Sequence, residues 1–217
     1  MNPLPSRLLV VTDRHGAAVP LARRVGAALA GGARWVWLRD RDLPEEERAV
    51  LAADLIGPIR AAGGRLTIGR DVALAARVGA DGAHLGEAAA VASARTRLGA
   101  GALIGVSAHS LPDVAAAREA GADYVTLSPI FTTASKPGYG PALGLDGVRA
   151  AVPLGVPVMA LGGIEPGTAR ACLEAGAAGV AVMGGLMRAA SPDEAARDLL
   201  DALDLERDAR AQPVSPG

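Results

Sequence analysis

Arg39 and Arg41 stand two residues apart, the spacing that sends both side chains to one face of an extended strand. Two guanidiniums so placed suit an anion larger than a single phosphate, such as a diphosphate; surface pairing with Asp40 and Asp42 is the open alternative. Two glycine pairs, Gly162-Gly163 and Gly184-Gly185, leave backbone N–H groups bare to phosphate oxygens, although tight turns alone also use such pairs. Between them in character is the stretch Thr132 to Gly138, with the hydroxyls of Thr132, Thr133 and Ser135 and the cation Lys136. It is composed like a lid over an anionic ligand, or like a solvated loop. His109, two residues after Ser107, is the acid–base candidate. His84 reads first as a hydrogen-bonded core residue and His15 as a loop residue. No pair of histidines with a carboxylate falls at metal-ligand spacing, and the lone Cys172 reads as a thiol in a helix, without disulfide or cysteine metal site.

These groups gain meaning from the elements that carry them. Short β-type runs recur at Leu8–Val11, Trp35–Leu38, Arg65–Ile68, Ala83–Leu85, Leu103–Val106, Tyr124–Leu127, Val158–Leu161 and Gly179–Val182. Most follow a glycine-containing turn that reads as a helix stop. Helix-like segments lie between them at Leu21–Ala30, Glu45–Ala62, Val72–Val78, Leu111–Ala120, Thr168–Ala175 and Asp193–Leu203. Alternation of this kind implies parallel strands joined by right-handed crossovers. Eight units in 217 residues predict an α/β fold, a single-domain (β/α)8 TIM barrel over residues 1–205, with a doubly wound sheet as the runner-up. The stretch from Glu206 to Gly217 carries Pro213 and Pro216 with little apolar content and is expected to be a disordered tail.

In such a barrel the residues just after each strand gather on one rim. That rim then collects Thr12-Asp13-Arg14-His15, Arg39-Asp40-Arg41, Gly69-Arg70-Asp71, Gly86-Glu87, Ser107-Ala108-His109, the loop from Ser128 through Lys136, and the glycine pairs after strands seven and eight. Those last two loops are where barrels of this kind commonly hold phosphate.

Composition narrows the ligand. Half the residues are apolar, the net charge is −1 and only 2% are aromatic, so neither an extended basic surface nor stacking platforms for nucleic acid are indicated. The aromatic scarcity and 28 glycines suggest close helix-on-sheet packing rather than large core side chains. No signal peptide or membrane span is evident, so a cytoplasmic protein acting on a phosphorylated small molecule is expected, with a homo-oligomer possible.

At these motifs the chain resembles the thiamin-phosphate synthase/TenI family along nearly its whole length. The matching stretches include Val11-Thr12-Asp13-Arg14, Trp37 to Arg41, Gly82 to Gly86, Gly105 to Ser110, Ala122 to Val125, Ser128 to Phe131, Ala160 to Ile164 and Gly179 to Met183. The resemblance implies one of two reactions on a thiazole phosphate held near the glycine pairs. A synthase joins it to hydroxymethylpyrimidine diphosphate with loss of diphosphate and with Mg²⁺; a TenI enzyme aromatises a carboxylated thiazole phosphate by moving a proton. It further implies that Arg39 and Arg41 contact the diphosphate, that Ser107 bonds near the transferred group, that Lys136 assists the diphosphate, and that Thr133 and Ser135 lie at thiazole-phosphate positions. Two departures tell against the synthase. Its Asn-Asp pair aligns with Gly69-Arg70 and its second metal-binding Asp with Ala89, leaving Asp71 and Glu87 as the nearest substitutes. Arg70 in the metal's place can neutralise a phosphate or carboxylate directly. The TenI histidine is absent too, its motif being Ser128-Pro129 here. The sequence reading therefore leans to a cofactor-free, TenI-like tautomerase using His109. A synthase with Mg²⁺ is the alternative, a non-catalytic thiazole-phosphate binder a further one, and a sugar-phosphate epimerase a distant one.

Overall fold

The structure, a computed structural model, describes residues 1–15, 18–132 and 141–204. Thr133, Ser135, Lys136 and the expected C-terminal tail therefore lie outside the described residues. Eight strands, β1 (Leu8–Val11), β2 (Trp35–Leu38), β3 (Arg65–Gly69), β4 (Gly82–Leu85), β5 (Leu103–Ala108), β6 (Tyr124–Leu127), β7 (Val158–Leu161) and β8 (Gly179–Val182), form the sheet. They run parallel in chain order and close where β1 pairs with β8, Leu9 opposite Ala181. Closure makes the fold a (β/α)8 barrel and removes the doubly wound alternative, whose sheet is open.

The described helices are α1 (Leu21–Ala30), α2 (Glu45–Ala61), α3 (Val72–Arg77), α4 (Val91–Leu98), α5 (Leu111–Glu119), α6 (Gly144–Ala151), α7 (Pro166–Glu174), α8 (Gly184–Met187) and α9 (Pro192–Leu203). Sequence periodicity misses α4, α6 and the single turn α8. Helix α4 buries only Val91 and Ala94, too few positions to make an apolar stripe. In α6, Gly144 and Gly147 dilute helix propensity. No described helix is long and apolar enough to cross a membrane.

Two buried layers arise from the two faces of the strands. Leu8, Val10, Val36, Leu66, Ile104 and Val180 point outward into one cluster with Leu21, Val25, Leu55 and Ile59 of the helices. The alternate positions, Leu9, Val11, Trp35, Trp37, Leu103, Tyr124, Met159 and Ala181, form a second cluster that fills the lumen. The expectation of little side-chain bulk holds for the outer layer and fails here. Both tryptophans and Tyr124 are buried in the lumen, with the Trp35 and Tyr124 rings edge-on at 4.7 Å between centroids. Glycine on the adjoining strands makes the room. A Cβ at Gly105 would stand 2.1 Å from Tyr124 Cζ, and one at Gly69 would stand 2.7 Å from Trp37 Nε1.

The turn into β6 is anchored by a carboxylate. Buried Asp123, just before β6, accepts hydrogen bonds from the Ile104 N–H (2.8 Å), the Asn2 N–H (2.6 Å) and Arg95 Nη2 (2.8 Å). Cys172 is fully buried in α7, and burial pushes its thiol pKa up to about 11, as suits a core thiol.

Because Tyr124 is wholly buried and cannot swing away, Gly105→Ala is expected to lower stability by about 2–3 kcal/mol in urea unfolding. Gly101→Ala, where an added Cβ meets nothing within 4 Å, should change it by less than about 0.5 kcal/mol. Equal effects of the two would show that the glycine–ring contact is not what packs the lumen.

Candidate active site

A cavity of about 330 Å³ opens at the C-terminal rim. Its floor is Val11, Trp37, Leu161, Ala181 and Val182; its walls are Gly162, Gly163, Gly184, Gly185, Ser128, Thr132, Arg188 and Arg39. The loops after β6, β7 and β8 thus meet as expected. The first two are laced together, the Ile130 N–H donating to Leu161 O (2.9 Å) and the Phe131 N–H to Gly162 O (3.0 Å). That closeness explains Gly163. Its φ is +65°, and a Cβ there would stand 2.6 Å from Thr132 O, so only glycine fits this wall.

Arg39 also lines the cavity, whereas Arg41, Arg70 and Ser107 are not among its lining residues. Arg39 does not share a strand face with Arg41, because β2 ends at Leu38 and both arginines follow it. Asp40 turns the chain. Its carboxylate takes a short hydrogen bond from Thr12 Oγ1 and a second from the Arg14 N–H at 2.8 Å, while the Arg39 N–H donates to Thr12 Oγ1 at 2.9 Å. Arg39 nonetheless stays beside the end of β3, where a Cβ at Gly69 would stand 3.5 Å from its Cα. The pKa of Arg41 is lowered by partial burial and then by Arg70, Arg39 and Arg48, so like charges are gathered at this corner of the rim.

Surface pairing of Arg39 and Arg41 with Asp40 and Asp42 is not what forms. Asp42 is held by Arg14 and by His15 Nε2, the latter at 3.0 Å. Asp71 caps α3 by accepting from the Leu74 N–H (2.8 Å) and faces buried Arg48 at 3.6 Å. Asp13 accepts from Arg188 Nη1 at 2.6 Å. Among the described residues no carboxylate lies within ion-pair distance of Arg39, Arg41 or Arg70.

Arg70 is the only non-glycine among the described residues with positive φ, at +62°. Its N–H donates to His84 O at 2.7 Å, and its guanidinium lies across Gly86, where a Cβ would be 2.7 Å from Arg70 Cζ.

Beneath the rim, His84 is buried against Trp37, with ring centroids 3.8 Å apart. Its Nδ1 meets Tyr124 Oη at 3.0 Å, and its Nε2 meets Ser107 Oγ at 3.1 Å and Thr126 Oγ1 at 3.2 Å. Burial, reinforced by Arg70 and Arg41, depresses its pKa to about 3, so the ring is neutral. The core reading of His84 holds, and through it Ser107, half-buried at the end of β5, is held in place. His109 lies exposed just past β5. Ser128 O accepts from its Nδ1 at 2.8 Å, which sets the proton on Nδ1. It is not part of the cavity lining.

The residues that sequence reasoning did not single out are Trp37 and Arg188. Arg188 sits three residues after Gly184-Gly185, so a cation one turn beyond a glycine pair was the available signal. No sequence signal marked Trp37 as cavity floor.

A family model described as thiamine monophosphate synthase matches residues 8–186. The chain belongs to that family. The putative thiamine-phosphate synthase of Geobacter sulfurreducens is 43% identical over 199 residues, 90% of this chain and 93% of that protein. The thiamine-phosphate synthase of Chromobacterium violaceum is likewise 43% identical, over 92% of this chain and 97% of that protein. Among solved structures, thiamine phosphate pyrophosphorylase from Pyrococcus furiosus superposes with a TM-score of 0.81 at 31% identity, covering 91% of this chain and 95% of that one.

The Mg²⁺ that the resemblance implies does not fit the donors this family member presents. Arg70 and Ala89 occupy the two expected carboxylate positions, Asp71 is spent on the α3 cap and Arg48, and Glu87 is exposed. Among the described residues no group of three His, Cys, Asp or Glu side chains can hold an ion.

The neutrality of His84 has a stability signature. Its unfolded form takes up a proton below about pH 6.5 while the folded form resists until about pH 3. Its contribution is thus complete above pH 6.5 and is lost as pH falls toward 3, by about 1.4 kcal/mol per unit. Between pH 7.5 and 5, wild type is expected to lose about 2 kcal/mol more than His84→Asn in urea unfolding. Parallel pH profiles would show that His84 is charged in the folded protein.

Proposed function

We propose that the protein is a thiamin-phosphate synthase, joining a pyrimidinylmethyl diphosphate to a thiazole phosphate with release of diphosphate. The observation that carries this reading is the pairing of a glycine-walled cavity end with a cluster of rim arginines that have no carboxylate partners among the described residues. One end suits a phosphate and the other a diphosphate, with an apolar floor between them for the two rings. The names of relatives 43% identical over nearly the whole chain support the same reading.

The chemistry asks little more of the protein. The thiazole nitrogen donates its lone pair to the pyrimidine methylene, and the breaking C–O bond leaves its electron pair on the diphosphate. No proton needs to move. The chain's part is to bring the two rings together over Trp37, to hold the thiazole phosphate at Gly162, Gly163, Gly184 and Gly185, with Thr133 and Ser135 as further contacts, and to set positive charge where the leaving group gathers negative charge. Arg39, Arg41 and Lys136 take that last role, and Ser107, fixed by His84, bonds near the transferred group.

Sequence alone leans to the tautomerase. That reaction needs an acid–base group beside the substrate; the described cavity lining offers no histidine, its carboxylate Glu165 is the N-cap of α7, and His109 would have to reach the cavity across Ser128.

Purified protein given hydroxymethylpyrimidine diphosphate, thiazole phosphate and Mg²⁺ should yield thiamin phosphate by mass spectrometry. Arg39→Ala should lower kcat/KM by about 10–100-fold, the loss of a charge-assisted contact to the departing group. No product, together with turnover of the carboxylated thiazole that disappears in His109→Ala, would replace this reading with the tautomerase. Thiazole-phosphate binding without turnover of either kind would leave a binder.

A further inference from the structure

We propose that Arg70, with Arg39 and Arg41, takes the place of the protein-held divalent cation, so that this rim binds diphosphate without a metal. The inference rests on the reading of diphosphate as the leaving group and goes beyond it. It starts from a substitution that reverses charge: the chain presents Arg70 where its family resemblance leads one to expect a metal-binding carboxylate, and Ala89 where it leads one to expect the second.

Three observations give that reversal a function. First, three of the acids nearest the arginines in the chain are engaged elsewhere, and exposed Glu87 is not within ion-pair distance of any of the three arginines. Asp40 is bound by Thr12 and the Arg14 N–H, Asp42 by Arg14 and His15, and Asp71 by the α3 cap and Arg48. Arg48, the remaining nearby cation, is itself spent on Gly69 O and Asp71. Second, Arg70 is built into its position. It holds a φ of +62° that side-chain-bearing residues rarely adopt, and residues kept in such a conformation concentrate at functional sites. Its N–H is tied to His84 O, and its guanidinium rests on a surface that only glycine at position 86 leaves open. Third, Arg70 and Arg39 are near enough to Arg41 to act on its charge. Cations brought together without counter-charge repel, and a polyanion bound among them relieves the repulsion.

Guanidiniums suit this task because their planar forks pair two donors with two phosphate oxygens and stay protonated throughout. As the C–O bond breaks and its electron pair passes to the diphosphate, the growing charge meets fixed cations. No proton, electron or further reactant is required.

The test is calorimetric titration of inorganic diphosphate into the full-length protein, in EDTA and separately in excess Mg²⁺. Binding is expected in EDTA, with an affinity that Mg²⁺ does not raise by more than about threefold. Arg70→Gly is the informative variant, since glycine keeps the positive φ at no strain; it should weaken diphosphate about tenfold or more. Gly86→Ala, whose Cβ displaces the guanidinium, should weaken it in the same direction. The proposal is overturned if wild type binds diphosphate only with Mg²⁺, if it binds none in either buffer, or if Arg70→Gly binds as tightly as wild type. Its failure is separable from that of the reaction. Metal-free diphosphate binding without thiamin phosphate formation retires the synthase and keeps the site, whereas Mg²⁺-dependent product without metal-free binding retires the site and keeps the synthase.

Discussion

A closed eight-stranded barrel must fill its own lumen, and here that task falls to Trp35, Trp37 and Tyr124, set against glycines on the neighbouring strands. Much of the site follows from this packing. Trp37 reaches over Gly69 with its indole Nε1, lies against the His84 ring at 3.8 Å and lines the cavity. One indole therefore closes the core from above and lines the cavity from below. The same closeness dehydrates His84, keeps it neutral and leaves its polar edge to Tyr124, Thr126 and Ser107. The imidazole thus acts as a fixed hydrogen-bonding post rather than as a proton carrier, and this is what gives Ser107 a defined position at the end of β5.

Above the lumen the rim divides its charges unequally. The chain as a whole is almost neutral, yet Asp13, Asp40, Asp42 and Asp71 are each bound to backbone N–H groups, hydroxyls or cations that shape the loops, whereas Arg39, Arg41 and Arg70 are not so employed. Buried Arg24 shows the structural use of the same side chain, donating to the carbonyls of Asp13 (3.1 Å) and Met187 (2.6 Å) and so tying the loop after β1 to α8. Guanidiniums left without a carboxylate partner on a concave rim bias its local potential toward positive.

The barrel was legible because its signals are local and repeated. A short apolar run, a helix and a glycine such as Gly121 or Gly176, whose φ values are +81° and +98°, recur along the chain, and each repeat makes sense by itself. The cavity was legible to the extent that it rests on strand ends, as with the two glycine pairs and Arg39. What stayed hidden depends on contacts between distant loops. The turn that ends β2 at Leu38 is made by Thr12 reaching Asp40 across 28 positions, so reading Arg39 and Arg41 as one strand face could not anticipate it. Likewise the identity of Arg70 was plain, but its left-handed backbone and its seat on Gly86 arise from pairing between β3 and β4. Arg188 joins the cavity only because α8 packs beside the loop after β7.

The claim at the centre of this account is that one cleft holds two anions at once, a phosphate at the glycine loops and a diphosphate at the arginines. The direct measurement is a calorimetric titration of thiazole phosphate into protein already saturated with inorganic diphosphate, set beside the same titration into protein alone. One further equivalent of thiazole phosphate should bind in both cases, with affinities within about threefold of each other or tighter in the presence of diphosphate. Competition, in which saturating diphosphate abolishes thiazole-phosphate binding, would mean that the rim offers a single anion site and would contradict the account.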